Sequence, residues 1–383
     1  MTRLSPVSTL RSTNPDPQHI VVRSVNWLGD AVMTTPALRR LRQRFPSARI
    51  ELLTPAKLAD LWTGHPDLDG ILAFQKGDNV LAVARQLRER RFDLAILFPN
   101  SHRVALEAWC ARIPRRFGIA RPWRNLLLNQ VVESPAGIAT TRKRTPEEIQ
   151  SRLRNAALPP EPAPGPESHH TAHYLRLVAG LGADPTPVAP FLTVSTAEQN
   201  ALRRRWDLDP QRTWVGINPG AEYGAAKRWP AANFAASARL LAAEGNRGFL
   251  LFGGPADRTL AEGIAAEIGS AAPVRILAGK TSLRELCTGL SICSVVLTND
   301  TGPMHVAAAV GTPVVVPFGS TSIELTGPGL PGETKHRLLR PSNAPCAPCF
   351  LRECPIDFRC MASHTVERVT QSVREVLAER NPT

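Results

Sequence analysis

The sequence predicts an α/β protein made of two doubly wound halves, and three observations carry that prediction. Short apolar runs of strand length alternate with stretches of helical period along the chain. Those runs end in turns rich in Gly, Asn, Asp and Pro, at the carboxyl ends of strands where open parallel sheets bind ligands. A length of 383 residues is more than one ordinary core supports and points to two domains.

Residues 1–18 are polar, carry three Pro and hold no apolar core, so they read as a disordered tail, neither signal peptide nor membrane anchor. A strand over 20–25 leads through Asn26, Trp27, Leu28, Gly29 and Asp30 into a helix over 31–45. There Leu38, Leu41 and Phe45 mark the buried face, and Arg39, Arg40, Arg42 and Arg44 the wet one. Asp30 thus sits at the carboxyl end of the first strand, either as a helix N-cap or as a base for a substrate hydroxyl. Strands over 49–54 and 92–98 and a basic helix over 80–90 continue the alternation. Residues 112–124 are strongly basic, with Arg112, Arg115, Arg116, Arg121 and Arg124 interleaved with Phe117 and Trp123. They read as a solvated face or as a dock for an acidic acceptor. Residues 134–170, with eight positions from Pro159 on dominated by Pro, read as an insertion that adds to no core. A helix over 171–181 and a linker over 184–190 close a first domain of residues 19–185.

The second domain, 190–345, opens on a helix over 197–205 and a strand over 213–218. A long small-residue loop follows, running from Asn218 to Trp229-Pro230 and carrying Lys227. Loops of that length inside compact domains tend to be functional. Lys227 is either a surface lysine or part of a cradle for a diphosphate. Phe252-Gly-Gly254 with Asp257, and Gly279 with Lys280, repeat the layout of strand and glycine turn. The centre of the chain's organisation is the βαβ unit over 295–321. Asp300, Thr301 and Gly302 open a helix whose N–H groups favour anions, and His305 lies one turn further on. Residues 346–383 carry Cys346, Cys349, Cys354 and Cys360 and a terminal helix. In a cytosolic protein this cluster suggests zinc before disulfides, although its spacing is tighter than a zinc ribbon's, and packed thiols are the alternative.

A net charge of +13 predicts an anionic partner, and no apolar run approaches the ~20 residues that cross a bilayer. A Rossmann dehydrogenase would need Gly-x-Gly-x-x-Gly after its first strand, which Asn26-Trp-Leu-Gly-Asp30 lacks. A nucleic-acid-binding protein would leave the paired α/β halves unused, and an aromatic content of 5% gives little for base stacking.

Several stretches together resemble the bacterial ADP-heptose:lipopolysaccharide heptosyltransferases: Trp27-Leu-Gly-Asp-Ala-Val-Met-Thr34, Asn218-Pro-Gly-Ala221, Lys227-Arg-Trp-Pro230, Gly279-Lys-Thr-Ser-Leu283 and Asn299-Asp-Thr-Gly-Pro-Met-His305. Pro99-Asn-Ser101, Arg112-Ile-Pro114 and Leu126-Leu-Leu-Asn129 resemble the subtype that adds the second inner-core heptose to the first, and a similar cysteine cluster recurs there. Heptosyltransferase I or a later core heptosyltransferase is the alternative. The resemblance implies a GT-B fold, two Rossmann-like domains facing across a cleft, with the terminal helix crossing back to the first. It implies inverting, metal-independent transfer with no catalytic cofactor, a structural zinc at the cysteines being the one metal considered. Asp30 matches the family's proposed base and Lys227 its phosphate-binding lysine. Asn218, Asp257, Asp300, Thr301, Gly302 and His305 match its donor site, and the arginines of 112–124 would face the acceptor. The implied partners are ADP-heptose, a heptosylated Kdo-lipid A and the inner leaflet of the cytoplasmic membrane, with no nucleic acid. The implied location is cytoplasmic and peripheral to that membrane.

Overall fold

Ile20, Val21 and Val22 are β-branched, apolar and buried on both faces, which is the pattern of a central parallel strand. They form the middle of β1 (His19–Arg23). β2 (Arg49–Pro55) and β4 (Leu94–Leu97) flank it, both parallel to it. β3 (Gly70–Phe74), β5 (Arg115–Ile119) and β6 (Gln130–Val132) complete a sheet of order β3-β2-β1-β4-β5-β6. The computed structural model describes residues 15–134, 137–139, 141–155 and 163–380.

The second sheet repeats the design. It contains β7 (Thr213–Asn218), β8 (Arg247–Leu251), β9 (Val274–Ile276), β10 (Val295–Thr298), β11 (Val314–Pro317) and β12 (Arg337–Leu339), in the order β12-β11-β10-β7-β8-β9. All the pairings are parallel, so each sheet is doubly wound and each has one point where the strand order reverses. That point lies between β1 and β4 in the first sheet and between β7 and β10 in the second. Crevices for ligands open at the carboxyl ends of such pairs.

The chain divides into two compact units, one running through Ile138 and resuming over Glu167–Leu192, the other holding Ala139–Pro166 and everything from Thr193 onward. Residues 139–166 therefore do not belong to the first half, as their position in the sequence suggested. Arg144 donates from its backbone N–H to the Cys349 carbonyl (3.0 Å) and from Nε to the Pro348 carbonyl (2.8 Å). The helix Pro146–Arg154, closed by a Thr145/Glu148 capping box, buries Ile149 beside the cysteine segment.

The terminal helix Val366–Arg380 also departs from expectation. It packs inside the second unit, where Val369, Val373, Val376 and Leu377 join the core formed by Val215, Phe234, Leu251 and Val295. Thr370 donates to Ser237 on the helix Ala231–Ala242 (3.0 Å). The ordered chain also starts before the end of the expected 1–18 tail: residues 1–14 lie outside the described residues, but Asp16 forms a two-pronged pair with Arg44 at 2.8 Å and Gln18 donates to Asp93. β5 lies inside the basic segment 112–124, because Phe117, Gly118 and Ile119 are buried while the charges stand at its start.

Beneath β1 lies a buried ion pair. Arg23 Nε donates to Glu107 Oε2 at 3.1 Å, Arg23 Nη1 to the Ser24 carbonyl at 2.8 Å, and Arg103 covers the other Glu107 oxygen at 3.0 Å. Glu107 and Arg23 are both almost fully buried. Removing one partner of such a pair leaves the other charge dry and unpaired. Glu107→Ala is expected to destabilise the protein by ~3–5 kcal/mol, read as a shift of the denaturant midpoint with unchanged slope.

Candidate active site

In the first unit, β1 runs through Ser24 and Val25 into the short helix Leu28–Met33, whose N-cap is Trp27 and carries no side-chain cap. Asp30 is therefore not an N-cap. It stands in the first helical turn, where a carboxylate is favoured by the dipole, and about a third of its side chain stays open to water. Its Oδ1 lies 3.6 Å from His170 Nδ1, the first residue of the helix His170–Ala179. Tyr174 of that helix is buried against Phe98 (ring centroids 5.4 Å), and burial, aided by the Asp30 charge, pushes its phenol above the ordinary range. His173 stays neutral, brought down to about 4 by burial and then by the charges of Arg176, His170 and Arg121. Three residues past β4, Asn100 Oδ1 is buried with no hydrogen-bond partner.

The five arginines of 112–124 separate into two kinds. Arg124 is fully buried, donates to the carbonyls of Ile119 and Pro99, and lies against Gly118, where a Cβ would meet its Nη2 at 2.9 Å. It holds the loop after β5 together and does not present its charge to an acceptor. Burial, then Arg121, lowers it to about 10. Arg116 is likewise spent on the carbonyls of Leu127 (2.8 Å) and Ile113 (2.6 Å), and Arg115 reaches the Pro15 carbonyl at 3.2 Å. Arg112 and Arg121 are exposed.

In the second unit, register places Asn218 opposite Thr298 across the switch point, with Asn218 Nδ2 donating to Thr298 Oγ1 at 3.2 Å. Asn299, fully buried, donates from Nδ2 to the Pro219 carbonyl (2.7 Å) and accepts from the Trp229 N–H (3.0 Å). One amide thus fastens both ends of the loop that carries Lys227. Lys227 Nζ lies 2.6 Å from Asp300 Oδ2 and over the Tyr223 ring, and Thr321 donates to the same Asp300 oxygen. Thr301 precedes the helix Gly302–Ala309 without a side-chain cap, which leaves the helix mouth beside this pair. His305 is buried one turn in. Asp257 accepts from the Gly254 N–H at 2.9 Å and faces Gly220, where a Cβ would stand 2.6 Å from its carboxylate. Asn218, Lys227, Asp257, Asp300, Thr301 and Gly302 are therefore gathered on one edge of the second sheet.

The sequence left Cys346, Cys349, Cys354 and Cys360 between a structural zinc and packed thiols. Among the described residues no group of three or more His, Cys, Asp or Glu side chains is placed to hold a metal ion. The four cysteines line one small apolar cavity with Ile149 and Pro355. Burial, then the neighbouring cysteines, pushes the Cys360 thiol up to about 12, and Cys354 Sγ accepts from the Phe358 N–H.

Residues 151–358 match the model of glycosyltransferase family 9 (heptosyltransferase). Lipopolysaccharide heptosyltransferase 2 of Escherichia coli strain K12 is 31% identical over 318 residues, 81% of this chain and 85% of that protein. The chain belongs to glycosyltransferase family 9, the heptosyltransferases. Lipooligosaccharide heptosyltransferase 2 of Haemophilus influenzae is 30% identical over 81% of this chain and 86% of its own length. Among solved structures, the E. coli ADP-heptose lps heptosyltransferase II matches with a TM-score of 0.74 at 28% identity, covering 94% of this chain and 99% of that one. A family 9 glycosyl transferase from Veillonella parvula shares the fold, with a TM-score of 0.77 at 21% identity and coverages of 94% and 98%. The two Rossmann-like units of this heptosyltransferase are those of the GT-B fold.

The roles of three site residues were not readable in the sequence. His170 lay in a segment that reads as insertion, and only folding brings it to Asp30. Thr321 lies in the segment 319–321 after β11, which with 300–302 is where a parallel sheet of this kind is expected to bind a ligand, but its contact with Asp300 is not readable from the sequence. Asn299 was visible only as a neighbour of Asp300. Its role gives a direct expectation: Asn299→Ala strands the Pro219 carbonyl and the Trp229 N–H, and should destabilise by ~2–4 kcal/mol. Asn299→Asp, which keeps the acceptor and loses the donor, should fall between it and wild type in urea unfolding.

Proposed function

We propose that this heptosyltransferase moves L-glycero-D-manno-heptose from ADP-heptose to the first heptose of the lipopolysaccharide inner core, by inverting displacement. The observation that carries the reading is the Lys227–Asp300–Thr321 cluster at the mouth of the helix Gly302–Ala309, placed at a sheet's switch point in a member of this family. A diphosphate leaving group needs positive charge and N–H donors, and both are held there ready. Lys227 takes the diphosphate charge, Thr301 and Gly302 open the helix toward it, and Asn218 and Asp257 border the same edge, Asp257 toward the ribose.

Asp30 removes the proton from the acceptor hydroxyl as that oxygen attacks the anomeric carbon. The C–O bond to the diphosphate breaks, ADP departs with its electron pair, and configuration inverts. His170, beside the carboxylate, orients it and passes the proton on to water. One base and a stabilised diphosphate suffice for this chemistry, so the transfer step calls on no metal or cofactor. Arg112 and Arg121, the exposed arginines of 112–124, suit an acceptor rich in phosphate and carboxylate. No helix among the described residues is long and apolar enough to cross a membrane. A lipid-anchored acceptor is then met from outside the bilayer, by a cytoplasmic protein held peripherally at the inner leaflet.

The deciding experiment incubates the purified protein with ADP-heptose and either Kdo₂-lipid A or its mono-heptosylated form, and weighs the product. One heptose added to the heptosylated acceptor is the expected result. Transfer confined to the unheptosylated acceptor would sink the second-heptose assignment. In the same assay Asp30→Asn should lose about 10²- to 10⁴-fold in the chemical step while binding ADP as wild type does. Lys227→Ala should weaken ADP binding by about 10- to 100-fold, the worth of a charge-assisted contact, and isothermal titration reads this directly.

A further inference from the structure

The first unit carries an apolar surface that neither the sheet nor the candidate site uses. Trp123 is 80% exposed and Leu126 77% exposed, both on the turn-bearing loop between β5 and β6. That loop is held in place from within: Arg124 anchors it to the carbonyls of Ile119 and Pro99, and Asn125 Oδ1 accepts from the Arg121 N–H at 2.9 Å. Two large apolar side chains are therefore not exposed because the loop is loose. A buried arginine fixes the backbone while they project outward.

A second element continues the surface. His102 Nε2 lies 3.1 Å from the Pro122 carbonyl, which seats the start of the helix His102–Cys110 against the loop. Seven residues on, along the same helix face, Trp109 is 50% exposed, and the Arg112 N–H donates to its carbonyl at 2.9 Å. Arg112 and Arg121 are exposed beside these aromatics. Residues 101–129 contain six arginines and a single carboxylate, Glu107, which is buried under β1. Nothing acidic on this stretch repels an anionic surface.

We propose that this surface docks on a lipid bilayer bearing anionic headgroups, with Trp123 and Leu126 entering the interfacial region and Arg112 and Arg121 meeting the phosphates. Exposed tryptophan flanked by arginine suits the boundary between headgroups and acyl chains, where an amphipathic ring and a long cationic side chain both find partners. Basic side chains at the surface add electrostatic attraction to acidic lipids. Both contributing elements follow the carboxyl ends of β4 and β5, the edge of the first sheet on which Asp30 also stands. The proposal rests on the reading of a membrane-borne acceptor and specifies which surface meets the membrane.

The test is co-sedimentation of the full chain with vesicles of phosphatidylethanolamine and phosphatidylglycerol, set beside vesicles of phosphatidylcholine alone. Wild type should pellet with the first, far less with the second, and be released as salt rises. Trp123→Ser/Leu126→Ser should lower the partition coefficient about tenfold, while Leu240→Ser, an exposed leucine of the second unit, should leave it alone. Because both side chains are mostly in water, the double variant should melt with wild type. A double variant that pellets like wild type, or wild type that ignores acidic vesicles, overturns the proposal. A parallel transfer assay separates this from the activity: the double variant should slow on vesicle-embedded acceptor and keep its rate on the deacylated, water-soluble one. Equal rates on both overturn the docking role. No transfer by wild type to either acceptor counts against the activity alone, since sedimentation needs no turnover.

Discussion

One buried amide governs the geometry of the second unit. Asn299 is placed by the end of β10 and spends its donor on Pro219 and its acceptor on Trp229, so the loop leaving β7 is pinned where it begins and where it ends. An asparagine amide offers both a donor and an acceptor in one plane and carries no charge to bury. The fastening continues outward. Trp229 Nε1 donates to the His364 carbonyl at 2.8 Å, and His364 Nε2 lies 2.7 Å from the Phe318 carbonyl at the end of β11. The ends of β7, β10 and β11 and the cysteine-bearing segment thus share one chain of buried polar contacts, and such chains are worth more intact than in parts.

Lys227 inherits its position from that chain. A lysine at a loop's end ordinarily samples many rotamers, and a ligand that wants its charge must first order it. Here Asp300 and the Tyr223 ring hold the ammonium in advance. The first unit solves its problem differently. Asp30 lies in an open helical turn with His170 at its side, a carboxylate left accessible where the other unit buries one in an ion pair.

Much of this was readable in the residues, for physical reasons that also explain what was not. Buried parallel strands announce themselves as runs of Val, Ile and Leu, so β1, β2, β4, β7, β8, β10 and β11 stood out, and with them the loops at their carboxyl ends. β5 was hidden because Arg115 and Arg116 open it, and a short strand that starts on charge looks like a loop. Asp30, Lys227 and Asp300 were visible because strand ends are where chemistry gathers in such sheets. Their partners were not, since His170 and Thr321 approach from 140 and 21 residues away. The arginines misled for a related reason: sequence shows charge but not direction, and Arg124 and Arg116 turn theirs inward to satisfy carbonyls.

The path of the backbone carries a consequence for anyone who would recombine this protein with a relative. The chain leaves the first unit at Ile138, spends Ala139–Pro166 in the second, returns for Glu167–Leu192 and leaves again, three passages in all. Arg144 is tied to Pro348 and Cys349, over 200 positions later. A single crossover in the linker near residue 193 would pair one parent's clasp with the other parent's cysteine segment. Functional hybrids should instead inherit 139–166 and the region beyond 193 from the same parent, as two blocks that travel together. Variation in the two blocks is accordingly free to drift only in concert, each substitution around Arg144 or Ile149 limiting what the distant segment can accept.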